Sequence, residues 1–208
     1  MNNRGRGAHV RRIWRRAAAL IAVTALGIGA VTVAKRQDRV GKLERVALPE
    51  WIEPALIPVG NARSGCRLTA VRGIVIHYVG NPNTTAMNNR HYFALESTEV
   101  CAHFVVGLEG EIVQCLPLWE RSAASNHRNK DTISIEVCHP DESGQFNAVT
   151  YGALVRLTAW LCRTAGLDAE DVIRHYDVTG KLCPLYYVRH EEAWEQLRAD
   201  IAAAVSSL

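Results

Sequence analysis

The chain has 208 residues, with 24 Lys/Arg, 21 Asp/Glu, eight His and six Cys, for a formal charge of +3. Apolar residues make up 48% and charged residues 22%, which excludes extensive disorder and a polytopic membrane protein. The length fits one domain of catalytic size plus an appendage and is too great for a small disulfide scaffold. Residues 1–42 hold ten of the basic residues and one acid, Asp38, so the remainder has 14 basic and 20 acidic residues, a net of −6. A nucleic-acid-binding domain, which would neutralise phosphates, is excluded on that balance.

Four segments are predicted: a basic tail over 1–16, an apolar segment over 17–34, a linker over 35–65 and a catalytic-size domain over 66–208. Ala17 to Ala34 is eighteen residues without a charge; as a helix it would span about 27 Å, just enough to cross a bilayer. Six Arg precede it, which places the N-terminus in the cytoplasm and the rest outside, in a single-pass membrane protein. The basic tail and the small residues Gly27, Gly29, Thr32 and Ala34 fit a cleaved signal peptide as well, in which case the domain is secreted.

In the linker, Pro54 and Pro58 break any helix, while Trp51, Ile52, Leu56 and Ile57 are apolar enough to pack on the domain. GIVIHYVG (73–80) is a β-branched run predicted as a strand buried on both faces. NPNTTAMNN reads as a loop and NRHYFALES as a short helix. CAHFVVGLEGEIVQCLP reads as a hairpin, Ala102–Val106 and Glu111–Leu116 about a turn at Glu109-Gly110. ISIEVCHP is a second buried strand. Asn147 to Gly166 carries Leu154, Leu157, Trp160 and Leu161 at helical spacing and stops at a C-cap glycine. A short strand, DVIRHYD, follows, and Trp194, Leu197, Ile201 and Val205 mark a last amphipathic helix. The predicted fold is a single α/β domain with a mixed central β-sheet flanked by helices.

The chemistry centres on His77 at a strand end, on His175 in VIRHYDVTGKLCP, and on Cys183 eight residues later. Two imidazoles and a thiolate form a three-ligand zinc shell that leaves one position open. A strand-end His is more often a structural residue, but Lys181 and Glu136 add a cation and a carboxylate, and Glu136 shares a strand face with Ser134.

IVIHYVGNP, AHFVVGLEGEIVQCLP, ISIEVCHPDESGQF and VIRHYDVTGKLCP together resemble the zinc-dependent N-acetylmuramoyl-L-alanine amidases, a family sharing its fold with peptidoglycan recognition proteins. The resemblance covers about 60% of the chain, from Val71 to Trp194. It implies that His77, His175 and Cys183 are the zinc ligands. It also implies that Lys181 stabilises the oxyanion and that Glu136 orients or deprotonates the attacking water. The implied substrate is peptidoglycan, cut between N-acetylmuramic acid and L-alanine of the stem peptide by a monomeric enzyme. A non-catalytic peptidoglycan-binding module on the same fold is the alternative; such relatives typically lose the Cys ligand, which this sequence keeps.

Phage members carry a tyrosine before the hairpin His, where this sequence has Ala102 before His103, so the acid-base role falls to Glu136. His103 is open between core and groove, with core favoured, and His127 in SNHRNKDTI matches a loop histidine that lines the groove in relatives. With Cys183 as a ligand five cysteines remain, so at least one stays unpaired unless two chains join; Cys101 and Cys115 flank the hairpin and could pair across it, yet Cys115 and Cys138 also fit as small core residues, and no pairing is assigned.

Overall fold

A computed structural model describes residues 39–207. Six strands form one sheet in the order β1-β4-β3-β5-β2-β6, with β1 at Glu53–Pro54, β2 at Ile74–Ile76, β3 at Phe104–Val106, β4 at Ile112–Gln114, β5 at Ile133–Val137 and β6 at Val172–Arg174. Only the β3–β4 hairpin is antiparallel; β1 runs parallel to β4, and β3, β5, β2 and β6 are parallel neighbours. The mixed α/β sheet expected from the sequence is therefore present. The helices are α1 (Ala86–Phe93), α2 (Ala148–Ala165), α3 (His175–Thr179), α4 (Leu185–Arg189) and α5 (Glu191–Ser207).

The period of two along each strand decides what the two faces do. Ile74 and Ile76, Phe104 and Val106, and Ile133, Ile135 and Val137 point into the main core, where they meet Leu154, Leu157 and Leu161 of α2 and Trp194, Leu197 and Ile201 of α5. Val105 and Val113 point the other way, into a smaller cluster with Ala86 and Phe93 of α1 and with Cys101, Cys115 and Cys138. Because α1 packs over β3 and β4, the second face of β5 and β2 is left for Ser134, Glu136 and His77. The site described below occupies that gap.

Helix boundaries follow their caps. Asn147 accepts a hydrogen bond from the Thr150 N–H at 2.8 Å, and Gly166 ends α2 in the left-handed conformation at φ 66°, as expected. Helix α1 starts earlier than expected, at Ala86, because Thr85 and Asn88 form a reciprocal capping box in which Asn takes the place usually held by Glu or Gln. Gly73, just before β2, is needed for close approach: a Cβ there would lie 2.7 Å from the Asp171 carbonyl oxygen. Gly73→Ala is expected to cost about 1–3 kcal/mol by forcing β2 away from the start of β6, read as a lowered unfolding midpoint.

Residues 39–65, expected to be a linker, are part of the domain. Val40, Leu43, Ile52, Ile57 and Ala62 are buried, and β1 adds an edge strand continued by hydrogen bonds from Ala55 and Ile57 to the β4 side. Proline at Pro54 is compatible with the edge position.

The expectation of a single-pass membrane protein with an extracytoplasmic catalytic domain is corrected. Among the described residues no helix is long and apolar enough to cross a membrane. The segment Ala17–Ala34, on which that expectation and its secreted variant rested, lies outside the described residues, as does the basic tail.

Candidate metal centre

The site forms where three parallel strands end together. β2 is flanked by β5 and β6, and the chain runs from the carboxyl end of β2 into His77 and from that of β6 into His175; such strand-end crevices are where open α/β sheets bind ligands. Cys183 arrives from the loop after α3, where its carbonyl accepts the Tyr176 N–H at 2.9 Å. The ligand atoms of His77, His175 and Cys183 lie within 4.8 Å of one another, and all three residues are buried. The imidazole rings meet edge to face at 4.7 Å, and Cys183 Sγ is 3.8 Å from His77 Nδ1.

Arg174 fixes the entry to His175. Its guanidinium donates to Asp177, to the Tyr187 carbonyl at 2.9 Å and to Glu191 at 2.7 Å, and it lies over the Trp194 ring. The partners span α3, α4 and α5, so one buried cation ties these elements to the ligand beside it.

A cleft of about 250 Å³ opens over the trio, lined also by Tyr78, Asn89, Tyr92, Phe93, Glu136 and Lys181. A second recess, lined by Glu99, Asn126, Asn129 and Thr179, joins it at His175 and Lys181. Thus the structure brings His77, His175, Cys183, Glu136 and Lys181 to one cavity. His127 is exposed on the 3-10 turn Asn126–Arg128 and lines neither recess. Instead its neighbours Ser125 and Asn126 touch the histidines, at 3.1 Å from His77 and 2.8 Å from His175.

His103 belongs to the core. It is fully buried, its Nδ1 accepts the Ser134 N–H at 3.0 Å, and its Nε2–H donates to the Glu120 carbonyl at 2.9 Å. With both nitrogens satisfied and burial holding its pKa down to about 4, it is a neutral link between the hairpin and β5. All six cysteines are free thiols, with Cys101 and Cys115 both buried in the smaller cluster.

The electrostatics suit a cation. Burial, then the neighbouring His175 and Lys181, hold the His77 pKa well below the ordinary histidine range, and burial, then Lys181, lowers that of His175. Both rings are therefore neutral and offer lone pairs. Burial, then the neighbouring Glu136, push the Cys183 thiol up to about 12, with the Tyr78 backbone N–H and Lys181 opposing. Glu136 is partly buried as a whole, and its Oε2 is enclosed without a hydrogen-bond partner. Burial raises its pKa to about 8, with Lys181 opposing. Two imidazoles, a thiol and a carboxylate lacking a partner are a donor set that zinc satisfies.

The stability of the metal-free chain therefore depends on pH. Between the ordinary Glu value of 4.5 and about 8, Glu136 keeps in the folded state a proton that the unfolded chain releases, so stability falls as pH rises through that window. Conversely, His77, His103 and His175 bind protons more weakly folded than unfolded, so stability falls as pH drops below their ordinary 6.5. Glu136→Gln is expected to raise the unfolding midpoint at about pH 8 and to leave it unchanged near pH 4, as thermal melts in chelator would read.

Residues 67–185 match the family model described as N-acetylmuramoyl-L-alanine amidase. The chain is 32% identical over 143 residues to the N-acetylmuramoyl-L-alanine amidase CwlL of Bacillus licheniformis, covering 61% of this chain and 39% of that protein. It is 30% identical over 172 residues to the amidase BlyA of Bacillus subtilis, covering 72% and 46%. The chain thus spans less than half the length of these curated relatives. Among solved structures, the catalytic domain of XlyA superposes with a TM-score of 0.63 at 26% identity, covering 72% of this chain and 98% of that one. The PlyG catalytic domain, at 21% identity and a TM-score of 0.65 over 74% and 94%, shares the fold. By the match across the strands and loops that carry the cleft, the chain belongs to the N-acetylmuramoyl-L-alanine amidase family, and residues 67–185 are its amidase domain.

Proposed function

We propose that this chain hydrolyses peptidoglycan at the amide between the lactyl group of N-acetylmuramic acid and L-alanine of the stem peptide, with zinc held by His77, His175 and Cys183. The observation that carries this reading is the convergence of that trio with Glu136 and Lys181 on one cleft. Zinc there would supply Lewis acidity, polarising the scissile carbonyl and bringing the pKa of water to about 7.

The chain's own groups supply the rest. Among the described residues lining the main cleft, Glu136 is the only carboxylate. With the charge of the ion beside it the carboxyl would ionise, so that it accepts the proton of the attacking water and returns it to the departing alanine nitrogen, general acid-base work worth about 10² to 10⁴ in rate. Its unpartnered Oε2 leaves that proton site uncommitted within the protein. Lys181, exposed at the junction of the two recesses, faces the negative charge that develops on the carbonyl oxygen. His103, bonded through both nitrogens, has no free site to contribute, and His127 is left outside the set.

The test uses the full chain: bound zinc by elemental analysis, and release of L-alanine amino termini from purified peptidoglycan with and without chelator. One zinc per chain with chelator-sensitive release is expected. Zinc without release would favour the binding-module alternative, and no zinc would overturn the ligand assignment.

A further inference from the structure

Both histidines of the trio are held from behind by adjacent residues of one turn. Ser125 Oγ lies 3.1 Å from His77 Nε2, and Asn126 Oδ1 lies 2.8 Å from His175 Nε2. We propose that the Ser125-Asn126 turn holds both metal-ligand histidines and that Asn126, as the decisive positioning residue, sets the tautomer of His175. This rests on the reading of the trio as a zinc site.

A carbonyl oxygen only accepts, so Asn126 Oδ1 selects the His175 form that carries its proton on Nε2 and leaves the Nδ1 lone pair for the ion. Position 126 must also tolerate a left-handed backbone, at φ 52°. Glycine, asparagine and aspartate meet that demand, and only the last two add an acceptor. The residue type is thus fixed twice over, by conformation and by chemistry.

Ser125 holds His77 in a more permissive way, because a hydroxyl rotates to donate or accept. Its Oγ continues to Ser134 Oγ at 3.0 Å and then to Ser122 Oγ at 2.8 Å. With His77 Nδ1 turned towards Cys183, Nε2–H donates to Ser125 and each hydroxyl passes a hydrogen along the row. Ser134 lies on β5 two residues before Glu136, so the row moors the turn to the strand that carries the carboxylate. From the other side, Asn129 Oδ1 accepts the N–H groups of Ala124 at 3.1 Å and Ser125 at 2.6 Å. A shift of this one turn would move the partners of both imidazoles together.

The experiment uses the full chain labelled with ¹⁵N-histidine, in wild-type, Asn126→Gly and Asn126→Asp forms. In the metal-free wild type near neutral pH, His175 is expected as the single Nε2–H tautomer. Asn126→Gly keeps the backbone conformation but removes the acceptor; it is expected to show mixed tautomers and a zinc affinity about 10–100-fold lower in chelator competition. Asn126→Asp keeps both and is expected to retain the tautomer and the affinity. A glycine variant with wild-type tautomer and affinity would overturn the proposal, and so would equal weakening in both variants, which marks a merely structural role. If the wild type shows the single tautomer but takes up no zinc, the zinc reading fails and the tautomer assignment stands.

Discussion

Cys183→Ser is expected to reduce hydrolysis of purified peptidoglycan to background and to strip the bound metal, while the folded chain persists. The thiol is buried against His77 Nδ1 at 3.8 Å and receives the Tyr78 N–H; burial holds it protonated, and a bound cation would displace that proton and take the thiolate as its ligand. Serine fits the same space, but its hydroxyl ionises far less readily, so the third anionic donor is lost and two neutral imidazoles remain. Elemental analysis and the amino-terminus release assay on the same preparation check this, with circular dichroism to establish the fold. Full activity in the variant would remove Cys183 from the ligand set.

Glu136→Gln is expected to lower turnover by about 10² to 10⁴ with metal content unchanged. The amide fills the carboxyl's place but cannot take up the proton of the attacking water. Because the Oε2 of Glu136 has no partner within the protein, the substitution breaks no hydrogen bond of the fold, so a loss of rate reports on chemistry. Equal loss of rate and of zinc would make Glu136 a fourth ligand in place of a base. The same variant raises metal-free stability at alkaline pH, for the reason given above, so a more stable and less active protein is the combined signature of this residue.

Much of the fold was legible because its elements repeat a local pattern. The β-branched runs of β2 and β5 and the Asn147 and Gly166 caps of α2 carry their structure in a few neighbouring residues. The start of α1 was not, because its capping box uses Asn88 in a stretch with the composition of a loop. Nor was the core role of residues 39–65: Val40, Leu43, Ile52 and Ile57 follow no single period, and Pro54 is an edge-strand residue whose pattern means nothing without its neighbour β4.

Within the site, His77, His175 and Cys183 were legible through their chemistry and through family resemblance. Ser125 and Asn126 were not. Their contacts with the histidines span 48 and 49 residues, and serine and asparagine in a polar loop look like any turn. His127 has the more conspicuous side chain in that loop, but the two residues before it make the contacts.

His77 and Cys183 stand 106 residues apart in the sequence and almost in van der Waals contact in the structure. A cation gripped by both acts as a reversible cross-link that closes most of the domain into a ring. Such a closure removes conformations from the unfolded ensemble, and the ion adds its binding free energy only to the form in which β2 and β6 lie side by side. Metal supply would then govern how long the chain survives proteolysis as well as whether it acts. Without the ion the folded chain would lose that contribution and open more often.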